Sequence, residues 1–298
     1  MKSGEPPSLT RGQNVTAVTS LGDDVFVLRW AVRHILVYDA ATFSLQHWIP
    51  VPSLSCPWGL AACAHHRCLY VSDSSHSIHR AELAAGNPVT QWSVAREPRG
   101  VSVNNEHNVV VAFHERNRIQ EYTTHGALVR EIFLQTDVKP LFHAVQLSSG
   151  HYVVSQCTLL GALSVVGLDG QVVRSYCPPE TSDVGQIRYP RSLAVTKNDD
   201  ILVVDRDNER ILSVDSSLSS AQELDLSVDD GIHVPWAVCL DASRTRRLYV
   251  GEGGGSFRVL VFDGVTFSGV LGGYTRVYGV YQPPGFFLTA YTHLSDHK

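Results

Sequence analysis

The stretch Tyr189–Asp215, YPRSLAVTKNDDILVVDRDNERILSVD, contains three short apolar runs, each bounded by turn residues. The runs SLAV, ILVV and RILSV are too short for helices, and their β-branched content favours strands. Segments with the same order of runs and turns begin at Asn14, Cys56, Glu97, Leu141 and Val234. The stretch is therefore one copy of a repeating unit rather than an isolated hairpin.

The period of the repeat follows from a register of small residues in the first strand of each copy. The residue just before the small Gly, Ala or Ser recurs at intervals of 42, 41, 44, 48 and 45 residues: Thr16, Trp58, Arg99, His143, Arg191 and Trp236. A period of about 40–50 residues with several short strands per unit is typical of a β-propeller. Small residues suit the innermost strands, because these strands converge on the propeller axis.

We predict an all-β fold, a six-bladed β-propeller with blades near residues 14–50, 57–95, 98–135, 142–177, 190–227 and 235–272. Arg276–Tyr291 resembles the first two strands of another unit, so a seven-bladed ring closed with help from the N-terminus is the alternative. Six is favoured because only about twenty residues remain for a seventh blade. The predicted organisation is a tail at 1–13, the propeller at 14–275, and an accessory C-terminal hairpin and tail at 276–298.

The pattern P-x-[GAS]-[LV]-x-V, followed by ILVVDxxNxRI, resembles the NHL repeat, the propeller unit of TRIM-NHL proteins. The D-x-x-N-x-R part is complete only at Asp205, Asn208 and Arg210, and Phe113 stands in the Asp place of the third copy. The resemblance implies six blades and a binding or scaffold function, with another protein as the first partner and RNA as the second. No RING, B-box or coiled-coil segment is visible before the repeats, so the resemblance does not carry over a ligase activity.

Composition restricts the partners and the compartment. The formal net charge is −5, and twenty Arg stand against four Lys. Because phosphate neutralisation supplies most non-specific nucleic-acid affinity, we expect no DNA binding and only weak, local RNA contacts, through Arg99 and Arg191. The N-terminus shows no signal-peptide h-region, and no apolar run reaches membrane length. The six cysteines include no CxxC pair, which favours reduced thiols and a cytoplasmic protein without a membrane partner.

The register residues are the candidate ligand-binding site. They head successive inner strands, so their side chains are expected around one mouth of the central channel: Trp58, Arg99, His143, Arg191, Trp236 and Tyr278. Aromatic and cationic side chains in one ring could bind an anionic or aromatic ligand by stacking and charge-assisted hydrogen bonds. The competing interpretation is that they pack between blades or cap carbonyls.

A second set of residues is predicted to be structural. Asp205, Asn208 and Arg210 lie in the turn between the second and third strands of their copy, and Asp73 takes the same place in the second copy. Asp and Asn in such turns accept backbone N–H bonds, and Arg can bridge to a neighbouring blade.

Catalysis is the less favoured hypothesis. We predict no catalytic residue, no metal and no cofactor, because His143 is the one histidine at an inner-strand position and, apart from Glu252, the inner strands supply few carboxylates. The alternative is a hydrolase or lyase with its site in the channel, of the lactonase or amidating-lyase type. It would require three or more histidine or carboxylate groups converging there.

Overall fold

Six antiparallel sheets arranged in a ring make up the protein, as a computed structural model shows. The structure describes residues 14–95, 97–135, 140–156, 162–176, 184, 186–226, 231–241, 247–254, 258–265, 277–278 and 290–291. The six-bladed prediction is confirmed. Because most of 276–298 and all of 1–13 lie outside the described residues, the predicted domain limits stay a prediction.

Blades 1 to 3 are complete four-stranded sheets. Their strands are β1 (Val15–Leu21), β2 (Asp24–Arg29), β3 (His34–Asp39) and β4 (Leu45–Pro50); β5 (Pro57–Cys63), β6 (Cys68–Asp73), β7 (Ser77–Glu82) and β8 (Val89–Ser93); β9 (Pro98–Val103), β10 (Val109–Phe113), β11 (Arg118–Tyr122) and β12 (Leu128–Phe133). In each blade the strands are paired in chain order, so every connection within a blade is a hairpin.

Blades 4 and 5 follow the same plan. Their strands are β13 (Leu141–Gln146), β14 (Tyr152–Gln156), β15 (Ala162–Val166) and β16 (Val172–Ser175); β17 (Pro190–Val195), β18 (Ile201–Asp205), β19 (Arg210–Val214) and β20 (Ala221–Glu223). Blade 6 has three described strands, β21 (Pro235–Asp241), β22 (Arg247–Glu252) and β23 (Val259–Phe262). The pair β24 (Val277–Tyr278) and β25 (Ala290–Tyr291) lies against β23.

The ring closes between the first and last blades. Each first strand lies beside the first strand of the next blade, and β21 of blade 6 lies beside β1. Six apolar clusters fill the six spaces between blades, so burial is distributed around the ring. Successive side chains of a strand point to opposite faces of the sheet, so each blade carries apolar side chains on both faces. Each face is buried against one neighbouring blade. A 3₁₀ turn at Arg206–Asn208 is the one helical element among the described residues, and none of these residues forms a helix able to cross a membrane.

Candidate functional site: an arginine–tryptophan cover on the channel

Five of the six predicted register residues come together at one end of the central channel. Trp58, Arg99, His143, Arg191 and Trp236 line a common cavity there, and Thr16 occupies the same position in blade 1. Tyr278 does not share this arrangement, because β24 pairs with β25 outside the ring of six first strands. The ring is already closed by β1 and β21, which leaves no inner position for β24. Whether the five residues bind a ligand stays a prediction.

The chain enters four of the six inner strands through the same unusual backbone conformation. The residues just before the strand prolines all have left-handed φ angles: Cys56 at 46°, Glu97 at 62°, Tyr189 at 57° and Val234 at 43°. A residue before proline ordinarily adopts extended conformations, and a β-branched residue such as Val234 is strained at positive φ. Strained backbone of this kind persists where surrounding contacts hold it, and often at functional sites.

Buried carboxylates at the ends of second strands hold these entry loops. Asp205 accepts a hydrogen bond from the Arg188 N–H at 2.6 Å, two residues before the proline of β17. The same bond recurs in blade 2, from Ser55 N–H to Asp73 at 3.1 Å, and in blade 6, from His233 N–H to Glu252 at 2.8 Å. All three carboxylates are fully buried. Glu252 therefore lies on a second strand and anchors a loop, whereas the sequence suggested an inner-strand position for it.

Each buried carboxylate also binds a cation or imidazole from the third strand. Arg210 Nε donates to Asp205 at 2.8 Å, and Asn208 Nδ2 donates to the same oxygen at 2.8 Å. In blade 2 the partner is His79, whose Nε2 lies 2.7 Å from Asp73. In blade 6 the partner of Glu252 is Arg258, whose Nε donates a hydrogen bond to the carboxylate at 2.7 Å. Blades 2, 5 and 6 therefore share a contact between the end of the second strand and the beginning of the third. The donors differ in type and in spacing along the chain.

Two arginine–tryptophan pairs form the outer layer of the channel mouth. The Arg99 guanidinium carbon lies 3.6 Å from the Trp58 ring centroid, and that of Arg191 lies 3.8 Å from the Trp236 centroid. The two indoles are nearly parallel, with an interplanar angle of 4° and centroids 6.4 Å apart. Arg191 is also 5.6 Å from Trp58, which joins the pairs into one unit. We call these four residues the cover, and all four are half-buried.

A rim of further aromatic and basic residues surrounds the cover, and the register did not predict it. Trp30 meets Trp58 edge to face at 4.6 Å, on the side of blades 1 and 2. Phe142 and Tyr189 pack together at 5.0 Å on the side of blades 4 and 5. Arg206 lies 5.0 Å from the Tyr189 ring. These residues come from loops and strand ends outside the register. The sequence therefore provided no reason to place them near the cover, and only the folded ring brings them there.

His143 serves the ring rather than the mouth. Its Nδ1 accepts a hydrogen bond from the Leu193 N–H at 3.0 Å, and its Nε2 donates to the Val101 carbonyl at 3.2 Å. The side chain therefore links the inner strands of blades 3, 4 and 5. Desolvation lowers its pKa, because burial disfavours the imidazolium. With both ring nitrogens engaged, His143 in this position is a neutral structural bridge.

The space beneath the cover is narrow. The cavity comprises about 540 Å³ of empty space, part of it continuous with solvent, and the centre of a water molecule can reach about 80 Å³ of it. That is room for a handful of waters or one small polar group, since a single water needs roughly 10–15 Å³ on the same measure.

The electrostatics of the mouth are cationic. Desolvation lowers the pKa of Arg99, and the nearby Glu97 and Glu115 act in the opposite direction without hydrogen bonding to it. Burial, followed by repulsion from Arg99 and Arg191, lowers the pKa of His114 to about 4. His114 is consequently neutral at pH 7. Within the described chain no carboxylate accepts a hydrogen bond from the Arg99 guanidinium, so Glu97 and Glu115 act on it through space only.

We expect the stability to fall on acidification partly through His114. Its folded pKa of about 4 lies below the unfolded value of about 6.5, so the stabilisation is complete above about pH 6.5 and is lost as the pH falls towards 4. After solvent screening the loss is about 1–2 kcal/mol. Urea unfolding of the wild type and His114→Gln at neutral and acidic pH measures it. Parallel pH dependences for both proteins would contradict the assignment.

The part of the chain that the structure describes contains no group of three or more His, Cys, Asp or Glu side chains placed to hold a metal ion. His65 stacks on His107, and His66 meets both rings edge to face. These histidines lie at the opposite end of the blades, in hairpin turns that follow the inner strands. The hydrolase or lyase alternative therefore gains no candidate ligand set from the described residues.

Comparison with known proteins establishes the fold alone. Neither the protein-family models nor the curated protein sequences give a match to the chain. Among solved structures, virginiamycin B lyase from Staphylococcus aureus, as a catalytically inactive variant with quinupristin, is similar at a TM-score of 0.64 and 12% identity, over 92% of this chain and 87% of that one. A streptogramin B lyase gives 0.63 and 11%, over 93% and 92%.

Hydrazine synthase from Kuenenia stuttgartiensis is similar at a TM-score of 0.61 and 16% identity, over 88% of this chain and 80% of that one. Together these likenesses agree with the class that the six sheets define, a six-bladed β-propeller. At 11–16% identity they carry no activity to this chain. They are also not specific to the NHL repeat, which stays an interpretation of the sequence.

Proposed function

We propose that this protein is a non-catalytic binding platform, an NHL-type propeller of the cytoplasm, whose channel mouth binds a protein partner. The observation that carries the proposal is the cover, in which Arg99 and Arg191 stack on two parallel indoles at a half-exposed surface. Trp, Tyr and Arg dominate the energetic centres of protein interfaces. Here they are concentrated on one face, with the half-buried Tyr189 and Trp30 extending the surface.

Charge favours a protein over RNA as the partner. A tight RNA site needs several cationic contacts to phosphates, and the chain has a net charge of −5 with four lysines. Glu97 and Glu115 lie close enough to Arg99 to oppose, in part, the desolvation that lowers its pKa, and the same charges would repel a polyphosphate backbone. RNA remains the second partner class, restricted to a local contact at Arg99 and Arg191.

The second candidate function is a lyase or hydrolase, and the likeness to streptogramin B lyases favours it. Such an enzyme needs an acid or base free to reach its substrate. His143 is the inner-strand candidate, and its two ring nitrogens are bound to Leu193 and Val101. Metal analysis of the purified protein, together with an assay for turnover of quinupristin, tests this candidate directly. A stoichiometric metal with measurable turnover would replace the binding proposal.

The binding proposal predicts that substitutions in the cover abolish partner binding and leave the protein folded. A photo-cross-linking residue at Arg206, on the rim, should capture a protein from cell extract, and the same residue at His107, at the opposite end of the blades, should not. Trp58→Ala and Trp236→Ala should each reduce the Arg206 capture by about tenfold or more, the loss expected for a hot-spot tryptophan. Capture at both ends alike, or of RNA alone, would overturn the proposal.

Stability measurements on the same variants separate binding from packing. Both indoles are half-buried, so each alanine substitution should cost about 1–2 kcal/mol, below the roughly 3–5 kcal/mol for a fully buried aromatic. Trp92→Ala is the matched control, because Trp92 is also half-buried but packs against Tyr70 and Tyr122 between blades 2 and 3. This control should leave capture unchanged. A loss of capture in all three variants would indicate damage to the fold rather than to a site.

A further inference from the structure

We propose that Ser53 is a modification site, a serine activated by His79 and Asp73 that takes an acyl group from an activated ester. The three side chains form a chain of contacts: Ser53 Oγ lies 3.4 Å from His79 Nδ1, and His79 Nε2 lies 2.7 Å from Asp73 Oδ2. The inference goes beyond the proposed binding function. Its site lies beside the outer strands β7 and β8 of blade 2, whereas the cover is built on first strands.

Asp73 determines which nitrogen of His79 carries the proton. Asp73 is fully buried and accepts hydrogen bonds from the N–H groups of Ser55 and Ser75 at 3.1 and 3.0 Å and from the Ser75 hydroxyl at 2.6 Å. Desolvation opposes its ionisation, but the hydrogen bonds from His79 and Ser75 outweigh this effect and lower the Asp73 pKa. An ionised carboxylate requires a proton on His79 Nε2, so Nδ1 of the neutral imidazole keeps its lone pair. This lone pair is the base within reach of the Ser53 hydroxyl.

Blade 2 differs from the other two anchored blades in carrying a base at this position. Arg210 in blade 5 and Arg258 in blade 6 make the same contact with a buried carboxylate. A guanidinium is always protonated and cannot accept a proton, so these two residues serve only as anchors. The imidazole of His79 keeps the anchoring bond through Nε2 and presents a second nitrogen to a hydroxyl. A nucleophile, a base and a group that orients the base are the elements of an activated serine.

Ser53 combines an exposed hydroxyl with a buried base. It lies in the loop between β4 and β5 and is exposed, whereas His79 is fully buried, so a reagent reaches the oxygen from solvent. The single hydroxyl proton has two acceptors, Gln91 Oε1 at 2.7 Å and His79 Nδ1 at 3.4 Å. The shorter bond holds the proton towards Gln91 at rest, and rotation of the hydroxyl brings it to His79. Contacts between a reactive group and its base are often long before the reagent binds.

The reaction restricts the class of acyl donor. As Ser53 Oγ forms a bond to the carbonyl carbon, its proton passes to His79 Nδ1, and the Asp73 carboxylate stabilises the resulting imidazolium. The bond from the carbonyl carbon to the leaving oxygen then breaks, and His79 releases its proton to solvent. Because Ser53 is exposed, the reacting carbonyl stays in contact with water. A donor whose leaving group departs as a stable anion, such as the phenolate of an aryl ester, fits this site.

The test uses p-nitrophenyl acetate and the full chain. We expect release of p-nitrophenolate and the mass of one acetyl group on the peptide that contains Ser53. Ser53→Ala should abolish this adduct, and His79→Arg should slow its formation about a hundredfold, the loss expected for a general base. Gln91→Leu should speed it, because the competing acceptor is removed. Ser93→Ala, which changes an exposed serine on β8, should leave the rate unchanged.

The His79→Arg variant separates reactivity from folding. The new arginine would keep the bond to Asp73, as Arg258 does for Glu252 at the same spacing of six residues. The urea midpoint of unfolding should therefore change little while labelling of Ser53 falls. If this variant does not fold, the position of the adduct in the wild type and the rate in Gln91→Leu still decide the matter.

Three outcomes would overturn the inference. They are no adduct on Ser53 in the wild type, equal rates in the wild type and folded His79→Arg, and slower labelling in Gln91→Leu. Each would leave the binding platform standing, because capture from position 206 tests a different part of the molecule.

Discussion

Replacing Asp205 with alanine should lower the free energy of unfolding by about 3–5 kcal/mol, the usual effect of removing one partner of a buried ion pair. The Asp205 side chain is fully buried and accepts hydrogen bonds from Arg210, Asn208 and the Arg188 N–H. Alanine would remove the buried carboxylate partner of Arg210, which keeps only the exposed Glu223 at 3.4 Å, and would release the loop that enters β17. Chemical denaturation of purified protein measures the loss.

Asp207→Ala is the matched control for this prediction. Asp207 lies two residues further along, is exposed, and pairs only with its neighbour Arg206 at 2.8 Å among the described contacts. Surface pairs of this kind contribute little, so the change should stay within about 0.5 kcal/mol. The double variant Asp205→Ala with Arg210→Leu should recover part of the loss, because it removes a largely buried guanidinium that has lost its buried partner. Similar values for Asp205→Ala and Asp207→Ala would refute the anchoring role of Asp205.

Gly100→Ala should cost about 3 kcal/mol, towards the upper end for overpacking. A Cβ at this position would lie 2.4 Å from His143 Cδ2, 2.5 Å from the Phe142 carbonyl oxygen and 2.7 Å from His143 Cα. Two of these atoms are backbone, so the inner strands of blades 3 and 4 would have to separate. Since His143 and Phe142 would move with them, the variant should also weaken any binding at the mouth. Thermal unfolding and cross-linking from position 206 test the two effects.

Gly167→Ala provides the comparison. The Cβ there would meet Asp169 Oδ1 at 2.6 Å, which is the end of a side chain that can rotate away. Neither glycine adopts a positive φ, so the backbone conformation does not separate the two cases. We expect a change below about 1 kcal/mol for Gly167→Ala. Equal destabilisation at both sites would mean that crowding between inner strands is not the reason for the small residue in the register.

The repeat register predicted more of the fold than of the site. The interval between small residues predicted the blades, because a side chain between converging inner strands must be small at every copy. The D-x-x-N-x-R pattern, by contrast, was recognisable at Asp205 only. Blades 2 and 6 make the equivalent contact with His79 and Arg258. Each of these donors lies six residues after its carboxylate, whereas Arg210 lies five residues after Asp205. The pattern therefore did not identify these two donors.

The sequence by itself determined the propeller repeat, the gathering of Trp58, Arg99, Arg191 and Trp236 at one end of the channel, and the acidic balance that disfavours polyanions. It favoured six blades over seven, and the contact between β1 and β21 decided the number. Only the tertiary structure decided which aromatic and basic side chains meet. Trp30 and Trp58 are 28 positions apart in the chain and come from different blades, and Trp58 and Trp236 stack across a closure that no local pattern encodes. Tyr278 fits the period yet lies outside the inner ring, because six blades already close it. Local strand signals specify each blade, whereas the contacts at the mouth depend on how the blades close around the axis.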